Sequence, residues 1–126
     1  MRFFMISNSK ILVVDDDRDL CDLIHEILSE EGYDVSKTYD GDEALKKLKD
    51  FDYDLLIIDH KLKGTTGISV IKKLINMKPP PKILMISAYG TAETKEQAIK
   101  NGVFEFIDKP FEINKLTESV KMAICN

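Results

Sequence analysis

Asp15, Asp16 and Asp17 follow an aliphatic run that ends on Val13-Val14, and Asp59 follows a second run, Leu55-Leu56-Ile57-Ile58. Two buried strands can thus deliver carboxylates to one edge of one sheet. Like charges about 4 Å apart repel by roughly 4 kcal/mol at an effective dielectric of about 20, so such a cluster asks for a proton, a basic side chain or a hard cation. Oxygen ligands on a half-open rim suit Mg²⁺, with Mn²⁺ as the alternative. Ser87 closes a third apolar run and Lys109 follows a fourth. A hydroxyl and an ammonium beside carboxylates also suit a phosphoryl group, whose oxygens need donors and positive charge.

These residues need a scaffold, and strand and helix signatures alternate five times along the chain. The run 11–14 is continuously aliphatic, as expected of a strand covered on both faces. Leu20, Leu23, Ile24, Ile27 and Leu28 then recur at helical spacing and stop at Gly32. A short strand over 33–38 precedes a helix carrying Ala44, Leu45 and Leu48, with Asp40 or Asp42 near its start. The strand over 55–58 leads through a glycine-bearing loop, 64–67, into a helix with Ile68, Ile71, Leu74 and Ile75 that Pro79-Pro80-Pro81 ends. A strand over 83–86 is followed by a helix over 91–100, and a strand over 104–107 by a helix with Leu116, Val120 and Ile124. This alternation predicts an α/β fold, a parallel sheet wrapped by helices on both faces, because each crossover must be right-handed and long enough to hold a helix. Ligands then belong at the carboxyl ends of the strands, where strand order reverses.

Composition bounds the rest. At 126 residues and 44% hydrophobic, the chain holds one domain able to bury a core without disulfide or metal staples. Residues 1–9 read as a loose leader and 10–126 as the domain. Lys+Arg 18 against Asp+Glu 22 gives a net charge of -4, which argues against nucleic acid or an anionic membrane as the main partner. Cys21 and Cys125 lack the paired spacing of zinc or redox motifs and read as free thiols of a reducing compartment, the cytoplasm. The opening Met1-Arg2-Phe3-Phe4-Met5-Ile6 is too short for a signal peptide, and no stretch approaches the ~20 apolar residues of a membrane span.

From about Lys10 to Cys125 the chain resembles the receiver domains of two-component response regulators. The resemblance rests on Val13-Val14-Asp15-Asp16, on Asp54-Leu55-Leu56-Ile57-Ile58-Asp59 with Gly67 beyond it, on Ser87-Ala88 and on Lys109-Pro110-Phe111, all in register. It implies a flavodoxin-like (βα)5 fold with strand order 2-1-3-4-5. It further implies a phosphorelay phosphoprotein, not an enzyme, whose Asp59 accepts a phosphoryl group from a histidine kinase or histidine phosphotransfer protein. By the same resemblance Asp15, Asp16, Asp59 and the backbone carbonyl of Lys61 would hold Mg²⁺, and Lys109 would pair with the acceptor and then with the phosphoryl oxygens. Ser87 would be the switch hydroxyl and Phe106 the aromatic that rotates behind it, repacking the face of the fourth helix, fifth strand and fifth helix. That face would meet an output domain or a second copy. Lys61 and Tyr89, each two residues past a site residue, would flank the path of hydrolytic water and lengthen the life of the phosphoaspartate. The competing reading packs Tyr89 on its loop and extends Lys61 into solvent. Lys109-Pro110 resembles the family's cis peptide.

Plainer readings apply nearby. Asp17 suits a helix cap better than a third ligand. His60 points away from Asp59 along an extended chain and reads as a loop residue, His25 as a solvated helix residue, and Lys46 to Lys49 as a solvated face. The stretch Leu62-Lys63-Gly64-Thr65-Thr66 departs from the methionine, proline, glycine and acid common in the family, which should loosen the loop. Two other function classes are weighed. A Mg²⁺-dependent aspartyl-phosphate phosphohydrolase would need an acid where Lys61 stands, and a receiver-like binding module that no longer accepts phosphate would not need the complete acid, hydroxyl and lysine set. A free-standing relay and the front of a longer regulator both remain open, and the reading frame beyond Asn126 decides between them.

Overall fold

The computed structural model describes residues 9–125, so the leader reading falls almost wholly on residues outside the described ones. The elements are β1 (Lys10–Val14), α1 (Arg18–Glu30), β2 (Asp34–Thr38), α2 (Gly41–Asp50), β3 (Leu55–Asp59), β4 (Lys61–Leu62), β5 (Thr65–Thr66), α3 (Gly67–Ile75), β6 (Lys82–Ser87), α4 (Ala92–Lys100), β7 (Glu105–Asp108) and α5 (Ile113–Cys125). Helices begin where a short polar side chain can take up an orphan N–H. Asp17 accepts from the Leu20 amide, Asp40 from those of Asp42 and Glu43, Thr66 from Ser69 and Thr91 from Thr94. Gly32 and Gly102, at φ 101 and 91, let the chain leave α1 and α4 through the left-handed region.

Five strands form one parallel sheet in the order β2-β1-β3-β6-β7, the expected 2-1-3-4-5 once β4 and β5 are set aside. Strand side chains alternate between two cores. Leu12, Val14, Leu56, Ile58, Ile83 and Met85 pack toward α2, α3 and α4. Ile11, Val13, Leu55, Ile57, Leu84 and Ile86 pack toward α1 and α5. Burial on both faces is why the strand sequences are continuous aliphatic runs and not alternating ones. Each aliphatic side chain moved from water contributes roughly 1.5–3 kcal/mol, so the centre of the sheet is the stable platform on which the polar edge is mounted.

Three details differ from the sequence reading. Residues 61–66 are not a plain loop: Lys61 pairs with Thr66 and Leu62 with Thr65 in a small antiparallel hairpin turned at Gly64, φ 77. The last strand runs over Glu105–Asp108, one residue later than 104–107. His25 is not simply solvated; it is half-buried, with Nε2 3.1 Å from the Val35 carbonyl, because α1 lies against β2.

Candidate functional site

The strand register assembles the polar residues. Val14 pairs with Ile58, so Asp15 and Asp59 leave the sheet side by side between β1 and β3, where strand order reverses. Asp59 pairs with Ile86, which sets Ser87 one residue further along β6. Ser87 pairs with Asp108, and the Lys109 amide donates to the Ser87 carbonyl at 2.9 Å. The peptide that follows, Lys109-Pro110, is cis, as the resemblance implied.

Lys109 Nζ lies 3.0 Å from Asp15 Oδ2 and 2.8 Å from Asp59 Oδ2. Asp15 is fully buried, and its other oxygen accepts from the Asp17 amide at 2.9 Å. Asp59 is 5% exposed, and its Oδ1 accepts from the Lys61 amide at 3.1 Å. Burial pushes the Asp15 carboxyl up to about 6; the Asp59 charge adds to this, while the Asp17 amide and the Lys109 ammonium oppose it. Burial pulls the Lys109 ammonium down, but its bonds to Asp59 and Asp15 outweigh that and hold it above its ordinary range.

Asp16 is exposed, and oxygens of Asp15, Asp16 and Asp59 all lie within 4.8 Å of one another. One ammonium cannot balance three carboxylates. An all-oxygen set on an open rim fits Mg²⁺ or Mn²⁺ by donor chemistry and charge, with space left for water or phosphoryl ligands. Asp17 caps α1, which supports the cap reading. The cleft above the acids measures about 310 Å³ and is lined by Asp16, Asp17, Asp59, Lys61, Tyr89 and Lys109 among others.

Lys61 and Tyr89 face each other across this cleft, with Lys61 Nζ 4.8 Å from the centre of the Tyr89 ring. Tyr89 is 69% exposed and so is not packed down on its own loop. Ser87 is buried, and its hydroxyl accepts from the Tyr89 amide at 3.1 Å. Phe106 packs half-buried against the core, capped by Gly90; a Cβ on Gly90 would meet the ring at 2.6 Å. Phe104, just before β7, is 37% exposed, with Lys82 Nζ 4.9 Å from its ring centre. His60 Nδ1 is buried without a hydrogen-bond partner, and burial lowers its pKa against the opposing charge of Asp59.

Two contributors were not legible in the sequence, and a third, Gly67, was legible only as a motif position. Thr38 is buried at the end of β2, where its carbonyl accepts from the Asp15 amide at 3.2 Å and its hydroxyl bonds Glu43. Gly67 must lack a side chain because a Cβ would meet the Asp59 carbonyl oxygen at 2.7 Å. Arg18 rests on Tyr39, 4.4 Å from the ring centre.

A family model described as response regulator receiver domain matches residues 11–121. The transcriptional regulatory protein ZraR of Salmonella typhimurium is 31% identical over 116 residues, which is 92% of this chain and 26% of that protein. The chain therefore spans about a quarter of that relative's length. A CheY-like response regulator receiver domain protein from Methanospirillum hungatei superposes with a TM-score of 0.90 at 29% identity, covering 94% of this chain and 95% of that one. The beryllofluoride-activated NtrC4 receiver domain dimer does so at 0.85 and 30% identity, covering 91% and 95%. Among the described residues, no helix is long and apolar enough to cross a membrane.

Proposed function

The chain belongs to the response regulator receiver domain family, and from that premise we propose that it takes a phosphoryl group from a histidine kinase or histidine phosphotransfer protein onto Asp59 and signals by repacking its surface. The observation that carries this reading is the Lys109 ammonium bridging the buried Asp15 and Asp59 carboxylates beside an open Asp16. An Asp59 oxygen attacks phosphorus; the O–P bond forms as the N–P bond to the donor imidazole breaks, and the electron pair returns to that nitrogen. Lys109 moves its contact from the carboxylate to a phosphoryl oxygen. Asp15, Asp16, Asp59 and the Lys61 carbonyl would hold Mg²⁺, or Mn²⁺, which when bound offsets the like charges of nucleophile and phosphoryl group. The product stays on the protein, so the domain acts as a phosphoprotein and not as an enzyme.

The Ser87 hydroxyl leaves the Tyr89 amide for the phosphoryl group, and Phe106 shifts with the loop above it. The α4–β7–α5 face then changes shape and meets an output domain or a second copy. An apolar groove of about 410 Å³ lined by Leu20, Leu23, Ile27, Pro110, Phe111 and Ile113 joins the acid cleft through Ala88 and Lys109, which supports docking of the phosphodonor there. Lys61 and Tyr89 close the cleft mouth and slow hydrolysis of the phosphoaspartate.

Intact-protein mass spectrometry with acetyl phosphate and Mg²⁺ tests the central step. One added phosphoryl group is expected on the wild type and none on Asp59→Asn. Undiminished labelling of that variant overturns the assignment.

A further inference from the structure

Two cations besides Lys109 belong to the cleft lining or follow it directly in the chain, and among the described residues neither is ion-paired with a site carboxylate. Lys61 lines the cleft, and Arg18 follows Asp17 of the same lining. Each is held over a tyrosine ring: Arg18 at 4.4 Å from the centre of Tyr39 and Lys61 at 4.8 Å from that of Tyr89. Asp16 is the exposed member of the acidic set, and among the described residues no lysine or arginine pairs with it.

Long basic side chains next to an unpaired carboxylate should fold onto it. Arg18 is two residues from Asp16 and has the reach to turn back. A guanidinium or ammonium there would neutralise the charge that draws a divalent cation and would have to leave before the metal entered. The apparent affinity of a site falls in proportion to the fraction of molecules in which it is open. An aromatic face offers such a cation an alternative resting place, through the ring's negative centre and the burial of the side-chain stem.

We propose that Tyr39 and Tyr89 hold Arg18 and Lys61 off Asp16 and thereby keep the acidic cluster open to a divalent cation. Tyr39 is built for this. Its hydroxyl donates to Asp22 at 2.6 Å, and Asp22 pairs with Lys37 at 2.9 Å, so the ring is set before Arg18 reaches it. Tyr89 is anchored less firmly, being 69% exposed. Both are positioning residues here, since each acts on the metal site through the cation it holds. The inference rests on the metal-binding reading above.

The test is a Mg²⁺ titration at constant ionic strength, followed by the amide NMR shifts of residues 15–17 and 59–61. Tyr39→Ala weakens Mg²⁺ binding roughly two- to fivefold, the range that one exposed cation–π contact supplies. Tyr39→Phe keeps the ring but loses its tether to Asp22, and so weakens binding less than Tyr39→Ala does. In an Arg18→Gln background Tyr39→Ala has no effect on the affinity, because there is no guanidinium left to release. Tyr89→Ala gives a smaller loss that Lys61→Met removes. An unchanged affinity in Tyr39→Ala, or an equal loss with and without Arg18, overturns the proposal, and a purely structural role for Tyr39 predicts the second of these. A wild type that binds no Mg²⁺ overturns the metal-site reading itself and this inference with it.

Discussion

At its amino end the sheet carries a cleft of about 380 Å³ lined by Asp34, Asp50 and Asp52 with Lys10, Phe51 and Tyr53; the cleft at its carboxyl end measures about 310 Å³ and is also acidic. At the amino end the carboxylates are exposed and do not converge on a shared partner. Asp52 pairs with Lys78 at 3.0 Å with its side chain 98% exposed, an arrangement worth less than about 1 kcal/mol. At the carboxyl end Asp15 and Asp59 are buried, converge on one lysine and leave a net negative charge. Acid count and cleft size are nearly the same in the two places. What distinguishes the carboxyl end is that parallel strands stop in register there and aim their last side chains at one point, whereas the amino-end acids, at the start of β2, at the end of α2 and in the connection after it, face solvent.

The sharpest way to break this comparison is to remove one carboxylate from each end. Asp15→Asn is expected to weaken Mg²⁺ binding more than tenfold, since an amide cannot replace a charged oxygen ligand, while Asp52→Asn leaves it unchanged in the same titration. Because burial disfavours the ionised form of Asp15, the Asn variant should also unfold in metal-free urea no more easily than the wild type. A clear loss of stability would show that the site's charge is a structural asset and not a functional load.

A second effect is smaller and depends on pH. The Asp15 carboxyl is raised from 3.8 to about 6, so the folded protein holds a proton that the unfolded chain releases near pH 4. Its contribution therefore favours the fold below pH 4 and is lost as pH rises through 6. Cation binding runs the opposite way, because it needs the ionised form. Mg²⁺ affinity is expected to rise about tenfold from pH 5 to pH 7 and then level off. Mg²⁺ should accordingly raise the thermal midpoint more at pH 7.5 than at pH 5. A flat affinity between pH 5 and 7 would remove Asp15 from the metal set.

The smallest expected effect concerns the mouth of the carboxyl-end cleft, a feature with no counterpart at the amino end. Lys61 and Tyr89 close it through one exposed cation–π contact, worth roughly 0.5–1 kcal/mol. Loss of phosphate from the phosphorylated protein should be a few-fold faster in the variant combining Lys61→Asn with Tyr89→Ala than in the wild type. Equal rates would mean that the pair does not obstruct water.

Much of the fold was legible because its central strands are short aliphatic runs with no competing helical period, and its helices are punctuated by Asp17, Asp40, Gly32 and Pro79-Pro80-Pro81. The acids, Ser87 and Lys109 were legible for a related reason: each closes or follows such a run, and a parallel sheet sends all run ends to one edge. The hairpin at Lys61–Leu62 and Thr65–Thr66 was not, since two-residue strands are too short to show a period of two. Nothing among the neighbours of His25 on α1 signals that the Val35 carbonyl comes within 3.1 Å of its ring.

The sequence by itself determined which chemistry the chain could carry, since residue type alone fixes what a carboxylate, hydroxyl or ammonium can do, and its aliphatic runs mark the central strands of the main sheet. Tertiary structure decided the rest. That Lys109 bridges Asp15 and Asp59, that the Thr38 carbonyl holds the Asp15 amide, and that Arg18 and Lys61 rest on Tyr39 and Tyr89 are contacts between residues 21 to 94 positions apart, separations that βα crossovers impose. No local pattern encodes such pairs, because their geometry follows from strand order and register, which are set by the packing of the whole sheet between its two helical layers.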